Sequence, residues 1–225
     1  MNSIAWTDLD RTMASVPRTR GYRFALLERS EVAALTDSLG AWFPEISVGT
    51  ASCFLREEFL HNAVHFRDGP ERDLLVVLAK TGREIAGMFS CERDRSALSL
   101  YARLGVVAPA HRGRGLIHSF VWLAEAIGRA AGIEMIYGMA TLKIPHVQRT
   151  FEKRRWRLIG ITPGYDREMV APGVVKRVYE AVYAKVLVAE QRLLRPDARN
   201  LTARTRAFFQ HLFPRIAARR RKSDG

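Results

Sequence analysis

The most informative segment of this 225-residue chain reads Leu104-Gly-Val-Val-Ala-Pro-Ala-His-Arg-Gly-Arg-Gly-Leu116. It begins as an apolar strand, stops at a proline and passes through glycines and arginines into an apolar pattern at helical spacing. A helix that begins directly after such a turn leaves its first amides unpaired, and these amides, with the positive end of the helix dipole, attract anions. Two glycines let the backbone approach a phosphate closely, and Arg112 and Arg114 add positive charge. The segment predicts a pyrophosphate site; the alternative is an ordinary basic turn.

The spacing Val107-x-Pro-x-x-Arg-Gly-x-Gly115 resembles the coenzyme A loop of the GNAT superfamily of N-acetyltransferases, whose consensus is Arg/Gln-x-x-Gly-x-Gly/Ala. Arg112 and Gly115 match that consensus, and Ile117 stands at its last position. Other phosphate-binding loops fit less well, because a Walker loop needs Gly-Lys-Ser/Thr and a dinucleotide fingerprint needs Gly-x-Gly-x-x-Gly.

The order of the predicted elements supports the same resemblance. Hydrophobic periodicity and turn residues predict β-α-α-β-β-β-α-β-α-β-β over about 20–188. Within the fourth predicted helix, Phe151-Glu-Lys-Arg-Arg-Trp156 keeps the frame of the family's Tyr-Glu-Lys-x-Gly-Phe signature. The resemblance implies an α/β (α+β) fold with a mixed, mostly antiparallel central sheet of about seven strands, flanked by four helices and followed by a basic helical tail.

Three regions are expected along the chain. Residues 1–20 are polar, lack clear periodicity and contain Pro17, which predicts a flexible N-terminal arm. Residues 21–188 form the GNAT-like domain, and residues 189–225 form a basic extension with ten Arg or Lys and three acidic residues. That extension holds +7 of the net charge of +13.

Composition limits the class of protein. The 48% hydrophobic content suffices for a core. Cys53 and Cys91 lack a Cys-x-x-Cys or histidine partner, so we expect buried packing residues in a reducing compartment. The histidines are spread over different elements, so no metal is expected. No apolar run reaches the roughly 18 residues of a membrane span, and the N-terminus lacks the apolar core of a secretory signal. These features predict a cytoplasmic protein.

The resemblance implies acetyl-CoA as the acyl donor and assigns residues to it. In the family the fourth strand bulges and splays from the fifth, and the freed backbone holds the pantetheine arm. Val106 and Val107 are thereby the expected pantetheine partners, with Phe151 beside the cofactor. The amides expected at the pyrophosphate belong to Arg112, Gly113, Arg114, Gly115, Leu116 and Ile117.

The groups that transfer protons are less constrained. The helical tyrosine that often protonates the departing thiolate in the family is Phe151 here, which has no ionisable group. The candidates are therefore His146, which titrates near neutrality, Tyr101 on the fourth strand, and Glu92 at the end of the third. Each has an alternative role. His146 could cap the helix or contact the cofactor, Tyr101 could be a packed core aromatic, and Glu92 could be a solvated acid. A base that acts through water would leave no sequence signal.

The segment Pro163–Glu168 is predicted to be the loop between the last two strands, which rims the acceptor pocket in the family. There Asp166 and Glu168 are candidates to hold a cationic acceptor, and Tyr165 to cover it. A plain polar hairpin loop is the alternative.

Apolar residues recur at helical spacing from Leu201 to Ile216, with arginines mostly elsewhere, which predicts a basic amphipathic helix ending near Pro214. Three interpretations stay open. The helix docks on the catalytic domain or on a second subunit as a homodimer, it lies on an anionic membrane surface, or it contacts nucleic acid or the ribosome.

These observations together predict an acyl-CoA-dependent N-acyltransferase, with acetyl as the default group and a small-molecule or peptide amine as acceptor, acting by direct attack in a ternary complex. The alternatives are a catalytically silent CoA-binding module and a nucleic-acid- or ribosome-associated protein that acts through its tail.

Overall fold

The computed structural model describes residues 5–17 and 19–214. One seven-stranded sheet runs through the molecule in the order β1-β2-β3-β4-β5-β7-β6. The strands are Arg23–Leu26 (β1), Leu74–Thr81 (β2), Glu84–Asp94 (β3), Ser99–Val107 (β4), Met135–Thr141 (β5), Arg157–Ala171 (β6) and Val174–Val186 (β7). Only β4 and β5 pair in parallel; every other neighbouring pair in this sheet is antiparallel. The mixed, mostly antiparallel sheet predicted from the sequence is confirmed.

Six α-helices lie in the described part of the chain. They are Leu9–Ser15 (α1), Val32–Trp42 (α2), Glu57–Ala63 (α3), Leu116–Ala130 (α4), His146–Lys153 (α5) and Ala203–Leu212 (α6). The core has two layers, one on each face of the sheet. Leu75, Val77 and Ala79 of β2 pack with α1 and α4, whereas the alternate residues Leu74, Val76 and Leu78 pack with α2 and α3. The unbroken apolar sequence of β2 is therefore explained by burial on both faces.

The N-terminal region differs from the predicted flexible arm. It contains α1, whose first turn is capped by Asp8, because the Asp8 carboxylate accepts a hydrogen bond from the Arg11 amide (3.3 Å). Leu9 and Met13 are buried in the layer that contains α4. The apolar pattern spans only two helical turns, which is too short to recognise as a period in the sequence.

The predicted loop Pro163–Glu168 is wrong, since these residues lie inside β6. The strand continues to Ala171, and the chain turns at Pro172-Gly173, where Gly173 has a φ of +72°. The register shifts between Thr162 and Asp166, so the Pro163-Gly164 segment forms a bulge in a long hairpin. The helix predicted from Ser52 also differs, because it is divided into a 3-10 turn, Thr50–Leu55, and α3.

The C-terminal extension contains α6, which packs lightly on the domain. Phe209 is half-buried, Phe208 is 50% exposed, and the Phe213 ring centroid lies 5.4 Å from the Arg157 guanidinium. The part of the predicted basic extension from residue 215 onward lies outside the described residues. None of the helices that the structure describes is both long enough and apolar enough to span a bilayer.

Candidate functional site

A cleft opens in the middle of the sheet because two neighbouring strands separate. Parallel pairing between β4 and β5 runs from Ser99–Met135 to Ala102–Gly138 and then stops. β4 nevertheless continues to Val107, while β5 continues to Thr141 and stays paired with β7. The cleft between the two free strand ends is lined by 102–106 of β4 and by Met139 and Thr141 of β5.

The separation coincides with a bulge in β4. Leu104 pairs with Ser90 and Ala102 pairs with Cys91, so Arg103 is an extra residue that the register leaves unpaired. A bulge increases the local bend of a strand, which carries the end of β4 away from β5.

Part of the backbone of β4 therefore faces the cleft, although the Val107 carbonyl already accepts a hydrogen bond from Arg112 Nε (3.4 Å). The Ala108 amide, just after β4, donates to the carbonyl of Ala86 on β3 (2.9 Å). Since alternate residues of an antiparallel strand bond to the same neighbour, the backbone groups of Val106 also face β3. Those of Gly105 and Val107 face the gap instead. Of the two residues expected to bind a pantetheine arm, Val107 thus turns its backbone to the cleft, whereas Val106 contributes part of the cleft lining.

The arginine-glycine loop connects this strand to α4. Gly113 and Gly115 have φ values of +76° and +86°, and a Cβ added at either would meet no atom within 4 Å. The first amide of α4 that bonds back to the chain is that of Ser119, which donates to the Gly115 carbonyl (3.2 Å). Within the described chain, the amides from Gly113 to His118 have no protein acceptor. The loop thus presents a row of free donors at a helix N-terminus, which is the donor set that a diphosphate requires.

A hydrogen-bonded chain centred on the buried side chains of Tyr22 and His111 supports this loop. The Tyr22 hydroxyl bonds to His111 Nδ1 (2.8 Å), and His111 Nε2 bonds to Glu84 (2.9 Å). Arg114 donates to the same tyrosine hydroxyl (3.4 Å). Arg112 and Arg114 are themselves exposed, and the Arg112 guanidinium lies 4.8 Å from the Phe43 ring centroid. His111 belongs to the motif, but its supporting role depends on two partners that are distant in sequence.

Phe151 forms part of the cleft wall where the two strands part. It is 4% exposed and stacks on Trp156 with ring centroids 4.5 Å apart. A Cβ at Gly138 would stand 3.1 Å from the Phe151 ring and 3.3 Å from Ala102, so glycine permits the close approach at the last paired position. Phe151 therefore shapes the cleft and has no group that transfers a proton.

Of the three candidates for proton transfer, only Tyr101 lines the cleft. Its ring stacks on Tyr137 at 5.0 Å. Burial and a hydrogen bond with the Tyr165 hydroxyl raise the pKa of Tyr101 well above its ordinary value. This hydroxyl therefore keeps its proton at neutral pH, which makes Tyr101 a hydrogen-bond donor and not a base.

Glu92 and His146 stand apart from the cleft lining. The Glu92 carboxylate is paired with Arg103 (2.9 Å), whose guanidinium also bonds to Cys53 Sγ and lies over Phe54. His146 is exposed at the first position of α5, and its side chain does not cap that helix.

The acidic residues of β6 reach the cleft but are already engaged. The Asp166 carboxylate accepts hydrogen bonds from the Thr50 amide (2.8 Å) and hydroxyl (2.7 Å), which fixes the 3-10 turn against β6. Glu168 is ion-paired with Lys143. Tyr165, whose hydroxyl helps to raise the pKa of Tyr101, is 38% exposed. Asp166 therefore organises the wall of the cleft through Thr50.

The sequence did not identify Glu180, which lines the same cleft from β7. It lies opposite Thr141 of β5 and Thr162 of β6, and it is half-buried. Burial raises its pKa, and the nearby charges of Asp166 and Glu168 raise it further, to about 7. The only sequence signal is a single acid in an apolar strand, at Val178-x-Glu180-x-Val182, and a solvent-facing position would give the same pattern.

Both cysteines are buried, as predicted. Burial raises the pKa of the Cys53 thiol and that of the Cys91 thiol, so both stay protonated at neutral pH.

Comparison with known proteins gives a consistent result for the fold. No family model and no curated protein sequence matches the chain significantly. Solved structures do match, among them a spermidine/spermine N-acetyltransferase from Vibrio cholerae, with 13% identity over 74% of this chain and 94% of the other and a TM-score of 0.57. An acetyltransferase from Salmonella typhimurium, solved with acetyl-CoA, has 14% identity over 79% and 98% and a TM-score of 0.54. An aminoglycoside 6'-acetyltransferase type Ii has 18% identity over 77% and 99% and a TM-score of 0.54. The chain has the GNAT fold.

Proposed function

We propose that this protein is an acetyl-CoA-dependent N-acetyltransferase that acts on a small-molecule amine. The proposal rests on one observation: the loop with free amides and the cleft between β4 and β5 are continuous. A row of unpartnered amides, from Gly113 to His118, stands at the end of β4, and the cleft between β4 and β5 leads away from it along the free edge of the same strand. A diphosphate with a long, narrow arm is the ligand shape that such an arrangement accommodates.

The residues present fit the diphosphate and the pantetheine arm of coenzyme A. Free helix-start amides with Arg112 and Arg114 supply donors and charge for the diphosphate. The backbone groups of Gly105 and the Val107 amide, which face the gap, supply partners for the pantetheine arm. When bound, acetyl-CoA supplies an acetyl group activated as a thioester.

The rest of the cleft suits the second substrate. Tyr101 and Glu180 line it with Thr141, and the Asp166–Thr50 contact holds its outer wall. Fixing an amine next to the acyl carbon in this confined space supplies much of the rate enhancement, because orientation alone contributes about 7–11 kcal/mol in favourable cases. Proteins with the same fold include a spermidine/spermine N-acetyltransferase and an aminoglycoside 6'-acetyltransferase, which supports a small amine as the acceptor.

Two measurements on the purified protein test the proposal. Titration calorimetry with acetyl-CoA is expected to give a Kd between about 1 µM and 1 mM, the range of ordinary enzyme substrates. Thioester consumption with spermidine, tobramycin and tyramine is then expected to exceed hydrolysis without an amine. No heat of binding at millimolar acetyl-CoA contradicts the proposal. Binding without turnover by any amine favours the catalytically silent CoA-binding module.

A further inference from the structure

We propose that Glu180 receives the ammonium group of the acceptor in this cleft and takes the proton that must leave before the amine attacks. This assignment deepens the proposed N-acetyltransferase function and rests on it. It also specifies the acceptor, which enters as a cationic amine.

The position of Glu180 follows from strand register. Thr141 is its partner on β5, where β5 has already left β4, so Glu180 borders the opened part of the cleft. On the other side, the Thr162 hydroxyl donates to the backbone carbonyl oxygen of Glu180 (3.3 Å) and not to its carboxylate. Across the described residues, no cation lies within ion-pair distance of this carboxylate and no donor is bonded to it.

The other acidic side chains near the cleft are not available for this role. Glu92 is paired with Arg103, Glu168 is paired with Lys143, and both oxygens of Asp166 accept hydrogen bonds from Thr50. Glu180 is therefore the half-buried acid of the cleft that still needs a positive partner. Removing a carboxylate from water without a partner is unfavourable, and an ammonium ion supplies that partner.

The charged and titratable groups around Glu180 raise its affinity for a proton to the range that a general base needs near neutral pH. Those that line the cleft with it are Asp166, Arg167 and Glu168 from β6, and from β4 Tyr101, which stays protonated, and Arg103, which is paired with Glu92. Burial and the two negative charges raise the pKa of Glu180 to about 7. A base with a pKa near the working pH accepts a proton readily and also releases it again to solvent.

The step balances as follows. One proton passes from the ammonium nitrogen to Glu180, and the freed lone pair forms a bond to the acetyl carbon. The bond between that carbon and sulfur breaks, and the electron pair leaves with the CoA thiolate. The second proton of the nitrogen ends on that sulfur as the thiol, and Glu180 later returns its proton to solvent. The products are the amide, CoA and one released proton.

The experiment compares the pH dependence of kcat/KM for wild type, Glu180→Gln and Glu168→Gln, with acetyl-CoA and the best amine among spermidine, tobramycin and tyramine. Wild type is expected to gain activity with a midpoint near pH 7. The kcat/KM of Glu180→Gln is expected to be lower than that of wild type by about 100-fold or more, and its pH profile is expected to lack that midpoint. Glu168→Gln removes a neighbouring negative charge, so its midpoint is expected to move to lower pH but to persist.

Two controls separate the outcomes. Calorimetry with acetyl-CoA is expected to give the same Kd for wild type and Glu180→Gln, and thermal unfolding checks that the isosteric variant is folded. The assignment is overturned if a folded Glu180→Gln variant keeps the midpoint near pH 7 or if its kcat/KM falls less than threefold. The proposed function stands in that case. If wild type consumes no acetyl-CoA with any of the three amines, the proposed function fails and the assignment fails with it.

Discussion

Gly115→Ala separates the folding role of the arginine-glycine loop from its binding role. Gly115 has a φ of +86°, a left-handed conformation that costs an L-residue about 1–2 kcal/mol. Alanine also restricts the unfolded chain, which offsets about 0.4–1 kcal/mol of that cost. Because no protein atom lies within 4 Å of the added Cβ, no steric term is added. The expected net loss of stability is about 1 kcal/mol, which lowers Tm by about 2–4 °C in a chain of this size.

The effect on binding is expected to be larger than the effect on folding. A methyl group at the helix start obstructs the close approach of a phosphate to the amides of Gly115 and Leu116. We expect the Kd for CoA to rise at least tenfold, which corresponds to about 1.4 kcal/mol. The measurement is titration calorimetry with CoA, in parallel with thermal unfolding.

Gly173→Ala is the matched control. Gly173 has a φ of +72° and equally open surroundings, but it lies in the turn between β6 and β7. It is expected to lose similar stability and to keep the wild-type Kd. If Gly115→Ala loses stability as Gly173→Ala does but binds CoA as wild type does, the reasoning about the loop is refuted.

Three further variants test other parts of the account. Arg155→Gly is expected to stabilise the protein by up to about 1 kcal/mol, since exposed Arg155 has a φ of +59° at the end of α5; thermal unfolding checks this, and a lower Tm contradicts it. Glu125→Gln is expected to cost about 3 kcal/mol in chemical denaturation, because the buried carboxylate is paired with Arg154 and Lys185. Burial raises the pKa of Glu125, but hydrogen bonds from Lys185, Arg154 and Trp156 outweigh it and the net pKa is lowered. The carboxylate therefore stabilises the fold above about pH 4.3. The difference in free energy of unfolding between wild type and Glu125→Gln should shrink as pH falls below that value, and a difference that stays constant contradicts this explanation. Asp166→Ala is expected to raise KM for the amine several-fold with an unchanged Kd for CoA, because it releases Thr50 at the cleft wall; steady-state kinetics measure both.

The parts of the fold that were predictable from sequence are those in which local signals agree. The arginine-glycine segment combines a strand, a proline stop, two glycines and a helical period within one short stretch, so each signal restricts the others. β2 and β3 are long apolar runs bounded by a glycine turn. In contrast, α1 is short and owes its order to packing against α4, which no local pattern encodes.

Apart from Tyr101 and Phe151, which line the cleft, the part of the functional site that was predictable from sequence is made of backbone. Glycines and a helix start identify the amides of the loop, because the requirement is local. The carboxylate of Glu180 enters the cleft through the register of β7 with β5, a pairing between residues 39 positions apart in sequence. Asp166 shows the same limitation. It lines the cleft, but its carboxylate accepts hydrogen bonds from Thr50, which is 116 residues earlier in the sequence. Partners at such separations decide which acid is free, and a single sequence does not reveal them.

An amide-resolved NMR titration of the protein with CoA tests directly whether the main chain of the arginine-glycine loop binds the diphosphate. If the main chain of the loop grips the diphosphate, the largest shifts of amide resonances are expected from Gly113 to His118, with a second group at Gly105 and Val107 along the free edge of β4. Shifts confined to the basic C-terminal extension, with the loop amides unchanged, would contradict the account.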